Sequence, residues 1–371
     1  MKRCLLFIPR MGGGGAERVM ATIANNLCVD HEVMLVSMTD AESFYTIDSR
    51  ITFIALGQKI NRTNAFTKLI TGIWGGTKAF FKLKQQIKKW KPDVMLSFLV
   101  EANLISIMLK LLGVKCRIVI SERNDPMSRG ALNRWFERNF YPKADTVVCQ
   151  SAAVVDFFKD KHKHKMTVIP NPIASDAIPP RHEGKRRKTV VAVGRLDSQK
   201  NFKLLIDAFS ELDSKFSEYT LEIYGGGWQE KELQDRIDSL GLSNRIFLMG
   251  TRKNVMFYIA DAALFVMSSD FEGFPNALVE AMATGLPVIS TNFSTGVAKD
   301  IIGENNGILV PVGDKTALIE AMTEMLSNED RWDGISLTNR ELLGRFSEEH
   351  VIALWNEALG LSKNKKKQKE I

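Results

Sequence analysis

Between Ala263 and Ile289 an apolar run, a polar loop and a helix closed by glycine and proline follow one another, and few folds accept that order. Ala263 to Met267 has the unbroken apolar character of a strand buried on both faces of a parallel sheet. Pro275 suits the first helical position, since its fixed φ is helical and its missing N–H is not needed there. Gly285 supplies the helix stop, and Pro287 bars any continuation. A loop at the carboxyl end of a parallel strand thus runs into a helix N-terminus, the place where open α/β sheets bind ligands.

Two carboxylates mark this unit, Glu272 in the loop and Glu280 inside the helix. Glu272 precedes a turn whose N–H groups point outward with the helix dipole behind them, a corner suited to an anion or a sugar-phosphate. Glu280 lies one to two turns in, where a carboxylate could accept hydrogen bonds from a diol. On composition alone, both could equally be solvated surface charges.

The strand–helix alternation recurs along all 371 residues, a length that holds two ordinary domains. Cys4 to Ile8 forms a first strand, too short before Pro9 and Arg10 for a signal-peptide core. Four glycines, Gly12 to Gly15, then separate it from a helical pattern over Ala16 to Leu27. Glycines there let backbone come close to a ligand, with a phosphate at the helix end as one candidate. The dinucleotide fingerprint does not fit: no third glycine stands at the required offset, and Asp40 lies just beyond the second strand, Glu32 to Met38. A flexible βα turn remains the other reading.

From Lys59 to Lys91 the chain carries nine basic residues and no acidic one, interleaved with Phe66, Leu69, Ile70, Ile73, Trp74, Phe80, Phe81, Leu83, Ile87 and Trp90. Such a segment can lie on an anionic membrane, each basic residue adding about 1 kcal/mol. It can also be a core helix with a solvated face. No recognition motif points to nucleic acid. Further strands are expected at Val94 to Leu99, Cys116 to Ile120 and Thr146 to Cys149. The polar loop from Ser121 to Pro126, with Glu122 and Arg123, follows the second of these and faces the same crevice. An ordinary Glu122–Arg123 ion pair is the alternative there.

Pro, Gly and charged residues gather between Pro172 and Lys188, which is linker chemistry. The expected division is a first domain over 1–172, a linker over 173–188, a second domain over 189–345, a crossover helix over 346–361 and a basic tail over 362–371. In the second half the strand Thr189 to Val193 leads into Gly194-Arg195-Leu196-Asp197-Ser198-Gln199-Lys200-Asn201, with Asn201 placed to cap the next helix. Arg195 offers a forked donor and Lys200 a compact ammonium, a pair suited to a diphosphate. Gly225 opens another glycine-rich turn, and Arg252 follows the strand Ile246 to Met249.

Taken together, Phe271-Glu272-Gly273-Phe274-Pro275-Asn276 through Glu280-Ala281-Met282-Ala283-Thr284-Gly285-Leu286-Pro287, and Gly194-Arg195-Leu196 with Lys200-Asn201, closely resemble the motifs of retaining GT-B glycosyltransferases of family 4. Likeness spans essentially the whole chain and is densest from Thr189 to Asp314. It implies an α/β fold of two Rossmann-like domains facing across a cleft, with a C-terminal helix crossing back to the first. It implies transfer of a hexose or N-acetylhexosamine from a UDP-sugar with retained configuration. Arg195 and Lys200 would grip the diphosphate, Glu272 the donor sugar's hydroxyls, and Glu280 the ribose diol. Gly14, Gly15, Gly225, Arg252, Phe274, Pro275, Asn276, Ala277 and Leu278 would line the donor site, and Glu122 and Arg123 the donor-sugar or acceptor side.

The chain departs from the family at Arg123, where many members have histidine, and at Gly225-Gly226-Gly227, where many have Gly-Asp-Gly. No metal or other cofactor is expected: Asp-x-Asp does not occur, and Asp270-Phe271-Glu272 is the nearest approach. The basic first half suggests a polyprenyl-diphosphate-linked or lipopolysaccharide acceptor. A cytoplasmic protein lying peripherally on the inner face of the plasma membrane is the matching expectation, and scattered cysteines agree. A nucleotide-sugar 2-epimerase, a phosphorylase or a non-catalytic UDP- or lipid-binding protein stay open as alternatives.

Overall fold

In the computed structural model the described residues are 1–39, 42–57 and 65–362, without the side chains of 65–76, Lys161 and Ser175. Asp40, Lys59, Arg62, the side chains of Phe66, Lys68, Leu69, Ile70, Ile73 and Trp74, and the tail from residue 363 therefore lie outside the description. The chain divides into two compact units, Met1–Asn171 with Val351–Ile371, and Pro172–His350.

Among the described residues the first unit holds seven parallel strands in the order β3-β2-β1-β4-β5-β6-β7. They are β1 (Arg3–Ile8), β2 (Glu32–Ser37), β3 (Thr52–Ala55), β4 (Val94–Phe98), β5 (Arg117–Ser121), β6 (Thr146–Cys149) and β7 (Met166–Val168). Successive residues of β1 feed opposite faces: Cys4, Leu6 and Ile8 enter one core, Leu5 and Phe7 the other. Burial on both faces is why these strands read as unbroken apolar runs. The helix Glu348–Leu359 sends Val351, Trp355, Ala358 and Leu359 into the first of these cores. Trp355 lies 5.5 Å from the Phe98 ring, and the carbonyl of Ala358 accepts from Arg117 at 3.1 Å.

The helix Ala65–Trp90 carries the basic segment. Over its described side chains the large apolar residues Phe80, Leu83 and Ile87 are buried in the sheet's other core, while Phe81 is exposed. Lys78, Lys82, Lys84, Lys88, Lys89 and Lys91 are exposed. This half is thus a core helix with a basic outer face, its apolar stripe spent on packing against the sheet. Among the described residues no helix is long and apolar enough to cross a membrane.

The second unit holds six parallel strands, β8 (Arg187–Val193), β9 (Thr220–Tyr224), β10 (Ile246–Gly250), β11 (Ala262–Met267), β12 (Val288–Thr291) and β13 (Ile308–Val310). Their order is β10-β9-β8-β11-β12-β13, so the direction of progression reverses at β8. Both sheets are Rossmann-like, with the switch beside the first strand. The stretch expected as a linker is packed into this unit. Ile173 pairs with Ser347, Ile173 and Ile178 are buried, and the guanidinium of Arg186 donates to the carbonyls of Ala260, Ala262 and Gly285. Polar composition suggested a free tether there, but buried carbonyls needed a multivalent donor and Arg186 supplies it.

Candidate functional site

Four loops at the carboxyl ends of β8, β9, β11 and β12 converge in the second unit. The first is 194–201. Asn201 sits in the left-handed region at φ 46°, accepts from the Leu204 N–H at 3.3 Å as a cap, and donates to Asp270 at 2.8 Å. The Asp270 N–H in turn donates to the Gln199 carbonyl at 2.9 Å, and Ser268 Oγ donates to the Lys200 carbonyl at 2.9 Å. These bonds tie the 194–201 loop to the 268–276 loop on the neighbouring strand.

That tie brings Lys200 against Glu272. Nζ of Lys200 and Oε1 of Glu272 form an ion pair whose side chains are 14% and 7% exposed. Ser269 Oγ donates to the same carboxylate oxygen at 2.7 Å, and Gln199 Nε2 reaches Oε2 at 3.3 Å. Thr295 Oγ1 holds the backbone carbonyl of Glu272 at 2.9 Å. Glu272 is therefore buried and held from several sides, whereas a surface glutamate would be solvated. Arg195 is different: its side chain is 72% exposed and lies 3.2 Å from Asp197. Gln199, Ser269 and Thr295 were not legible as site residues, because a hydroxyl or an amide in a loop carries no pattern until its partner is known.

The helix Asn276–Thr284 starts one residue later than expected. Pro275 takes the cap position with ψ at 69°, since the Asn276 N–H turns back to the Phe274 carbonyl at 2.9 Å. No side chain caps this helix. The N–H groups of Ala277 and Leu278 in its first turn can therefore serve an anion. Phe274 is buried against Phe346 with ring centroids 5.9 Å apart, and Leu278 is fully buried. As side chains these two belong to the core, so only their main chain can meet a ligand. Asn276, Ala277 and Glu280 are half-buried along the helix's first two turns. Gly285 ends it in the left-handed region, as expected from the sequence.

Gly225 has a tighter reason than approach to a ligand. At φ +147° a Cβ there would stand 1.8 Å from the Gly194 carbonyl oxygen. The glycine-rich turn that Gly225 opens thus clamps the loop that carries Arg195 and Lys200. Arg252 is exposed in the loop after β10.

Two regions named from the sequence lie in the first unit. Gly14 caps the helix Gly15–Leu27, with Gly15 as its first residue. The buried Glu17 carboxylate folds back over that end, within 2.3 Å of where a Cβ of Gly14 would be. Its partner is Arg10 at 3.3 Å, and Tyr45 Oη donates to the Gly14 carbonyl at 3.1 Å. The helix end therefore already carries an anion of its own, and Gly14 makes room for it. After β5, the Glu122–Arg123 ion pair considered from the sequence does not form. Glu122 pairs with Arg129 at 3.0 Å, which also holds Glu137. Burial, with the nearby charge of Glu122, pushes the Glu137 carboxyl up to about 7 against the pull of Arg129. Arg123 turns instead to the Asn171 amide oxygen and lies 4.6 Å over the Phe98 ring. Burial pushes its guanidinium down to about 9. Among the described residues no cluster of three His, Cys, Asp or Glu side chains is placed to hold a metal.

Comparison with known proteins assigns this arrangement. The family Glycosyltransferase Family 4 matches residues 13–177, and Glycosyl transferases group 1 matches residues 175–341. A Campylobacter jejuni protein is 30% identical over 345 residues, 89% of this chain and 91% of its own. It is the N-acetylgalactosamine-N,N'-diacetylbacillosaminyl-diphospho-undecaprenol 4-alpha-N-acetylgalactosaminyltransferase. The chain belongs to glycosyltransferase family 4.

A second C. jejuni relative, a GalNAc-alpha-(1->4)-GalNAc-alpha-(1->3)-diNAcBac-PP-undecaprenol alpha-1,4-N-acetyl-D-galactosaminyltransferase, is 28% identical and covers 98% of this chain and all of its own. Among solved structures, Anabaena Alr3699/HepE in complex with UDP superposes with a TM-score of 0.79 at 18% identity, over 97% of this chain and 100% of that one. The lipopolysaccharide outer core galactosyltransferase WaaB gives 0.73 at 20% identity, over 97% and 99%. These two likenesses establish the GT-B fold. As a family 4 member the protein is a glycosyltransferase.

Proposed function

We propose that the protein is a retaining, metal-independent transferase that moves a hexose or N-acetylhexosamine from a UDP-sugar to a membrane-associated glycan acceptor, polyprenyl-diphosphate-linked or of the lipopolysaccharide type. The observation that carries this reading is Lys200 held beside Glu272 next to an uncapped helix start at the carboxyl ends of parallel strands. The names of the two C. jejuni relatives support the acceptor class, and the UDP bound to HepE supports the donor.

In this reading the anomeric carbon–oxygen bond to the diphosphate breaks as the acceptor oxygen bonds that carbon from the same face. The acceptor's proton passes to the departing phosphate oxygen, so no protein base is needed. Lys200, Arg195 and the first N–H groups of the helix Asn276–Thr284 neutralise the charge that develops on the diphosphate, the task a divalent ion performs elsewhere. Glu272, fixed by Ser269 and Gln199, orients Lys200 and offers its remaining lone pairs to the donor sugar. Glu280 takes the ribose diol. The exposed lysines of the helix Ala65–Trp90 attract an anionic membrane surface, and the protein works as a peripheral protein on the cytoplasmic face.

Release of UDP from a panel of UDP-sugars tests this, with and without anionic vesicles carrying a polyprenyl-diphosphate glycan. One UDP-sugar should give release that rises with the acceptor vesicles. Charge reversal at Lys78, Lys84 and Lys88 should lower that rise while leaving acceptor-free hydrolysis alone. Conversion of the sugar without UDP release would favour an epimerase instead, and a demand for free phosphate would favour a phosphorylase.

A further inference from the structure

Arg123 in the first unit is a buried cation that forms no ion pair with a carboxylate. The residue is 6% exposed, its Nη2 donates to Asn171 Oδ1, and neither Nε nor Nη1 has an acceptor. Glu122 beside it is committed to Arg129 and to the Asn124 N–H. Gln150, 5% exposed, donates to the same Asn171 oxygen at 3.1 Å, and its own Oε1 is left without a partner. Phe98 closes one side with its ring 4.6 Å from the guanidinium carbon.

These four side chains come from the carboxyl ends of adjacent strands. Phe98 ends β4, Arg123 follows β5, Gln150 follows β6, and Asn171 follows β7. That edge is where a parallel sheet presents ligand-binding groups. A buried guanidinium with idle donors costs several kcal/mol in desolvation unless something supplies an opposite charge. Two unused donors and one unused acceptor describe a complementary guest, an oxyanion with a hydroxyl or N–H next to it.

We propose that Arg123, Gln150 and Asn171 form an oxyanion subsite that takes a carboxylate or phosphate group carried on a sugar ligand. The oxyanion accepts from Nε or Nη1 of Arg123, and a neighbouring hydroxyl of the ligand donates to Gln150 Oε1. Arg123 would then select an acidic ligand, a preference no neutral side chain at that position could impose. The subsite lies wholly in the first unit and does not depend on the donor reading above.

The test is a thermal-shift and calorimetric titration of the full chain with glucuronic acid, glucose 1-phosphate and neutral glucose, each with UDP present in excess. At least one acidic sugar should bind and glucose should not. The stronger acidic ligand identifies the group as carboxylate or phosphate. Arg123→Gln should weaken that binding about tenfold or more, the effect of losing one charge-assisted hydrogen bond. Arg123→Lys, which keeps the charge, should retain part of it, and Gln150→Leu should weaken it without abolishing it. Equal binding of acidic and neutral sugars, no binding of either acidic sugar, or unchanged affinity in Arg123→Gln or, should that variant not fold, in Gln150→Leu overturns the subsite. The shift produced by UDP alone reads the donor site separately, so loss of that shift bears only on the donor reading.

Discussion

Lys200→Ala is expected to lower kcat/KM for the UDP-sugar by about a hundredfold, most of it in kcat. The estimate follows from losing one preorganised donor to the developing diphosphate charge, about 3 kcal/mol in the transition state. The geometry gives the reason for the size. Lys200 is not a mobile surface lysine; its ammonium is fixed by Glu272, which Ser269 and Gln199 fix in turn. On the proposed mechanism its charge is in position before the leaving group departs, so no reorganisation offsets the gain. Steady-state kinetics on the purified variant provide the check, with a melt to show that the unit remains folded. Glu272 keeps its bonds from Ser269 and Gln199 in that variant, which protects the loop. Near-normal turnover would remove Lys200 from the chemistry.

Trp355→Ala is expected to destabilise the first unit by about 3–5 kcal/mol, the usual cost of emptying a large buried aromatic site. Trp355 is fully buried, in the same core as Phe98, Leu96 and Leu6, although it lies over 250 residues beyond them in sequence. Removing it should therefore weaken a sheet built from the first 171 residues. Trp355→Phe is expected to cost under about 2 kcal/mol, because the smaller ring leaves a smaller cavity. The indole N–H also makes no hydrogen bond that would be lost. Urea denaturation followed by fluorescence of the remaining tryptophans reads both. A cost below about 1 kcal/mol for the alanine variant would mean the helix is an appendage and not a piece of that core.

Strand positions and helix stops were legible because parallel strands buried on both faces leave unbroken apolar runs. Gly285 could be read because a left-handed helix stop favours glycine, and Asn201 because its short side chain can cap a helix. Arg195, Lys200 and Glu272 stood out as charges in loops at the carboxyl ends of such runs, and Glu280, inside the helix that follows, through the resemblance to the family 4 motif. Other features depend on partners far away in sequence. Phe274 was read as lining the donor site; its ring packs against Phe346, which leaves only its main chain for that role. Gly225 faces the Gly194 carbonyl, a neighbour only the sheet order β9-β8 can supply. The ion pair between Glu122 and Arg123 that stood as the alternative reading does not form: the fold gives Glu122 to Arg129 and gives Arg123 the Asn171 that follows β7. Short β7, only three residues long, carried too little pattern to be seen before the structure.

A crystal structure with UDP bound tests the central claim most directly. The account predicts diphosphate oxygens within about 3 Å of Lys200 Nζ, the Arg195 guanidinium and the N–H groups of Ala277 and Leu278, with the ribose hydroxyls on Glu280. Nucleotide seated elsewhere, with Lys200 still paired only to Glu272 and Glu280 turned from the ribose, would contradict it.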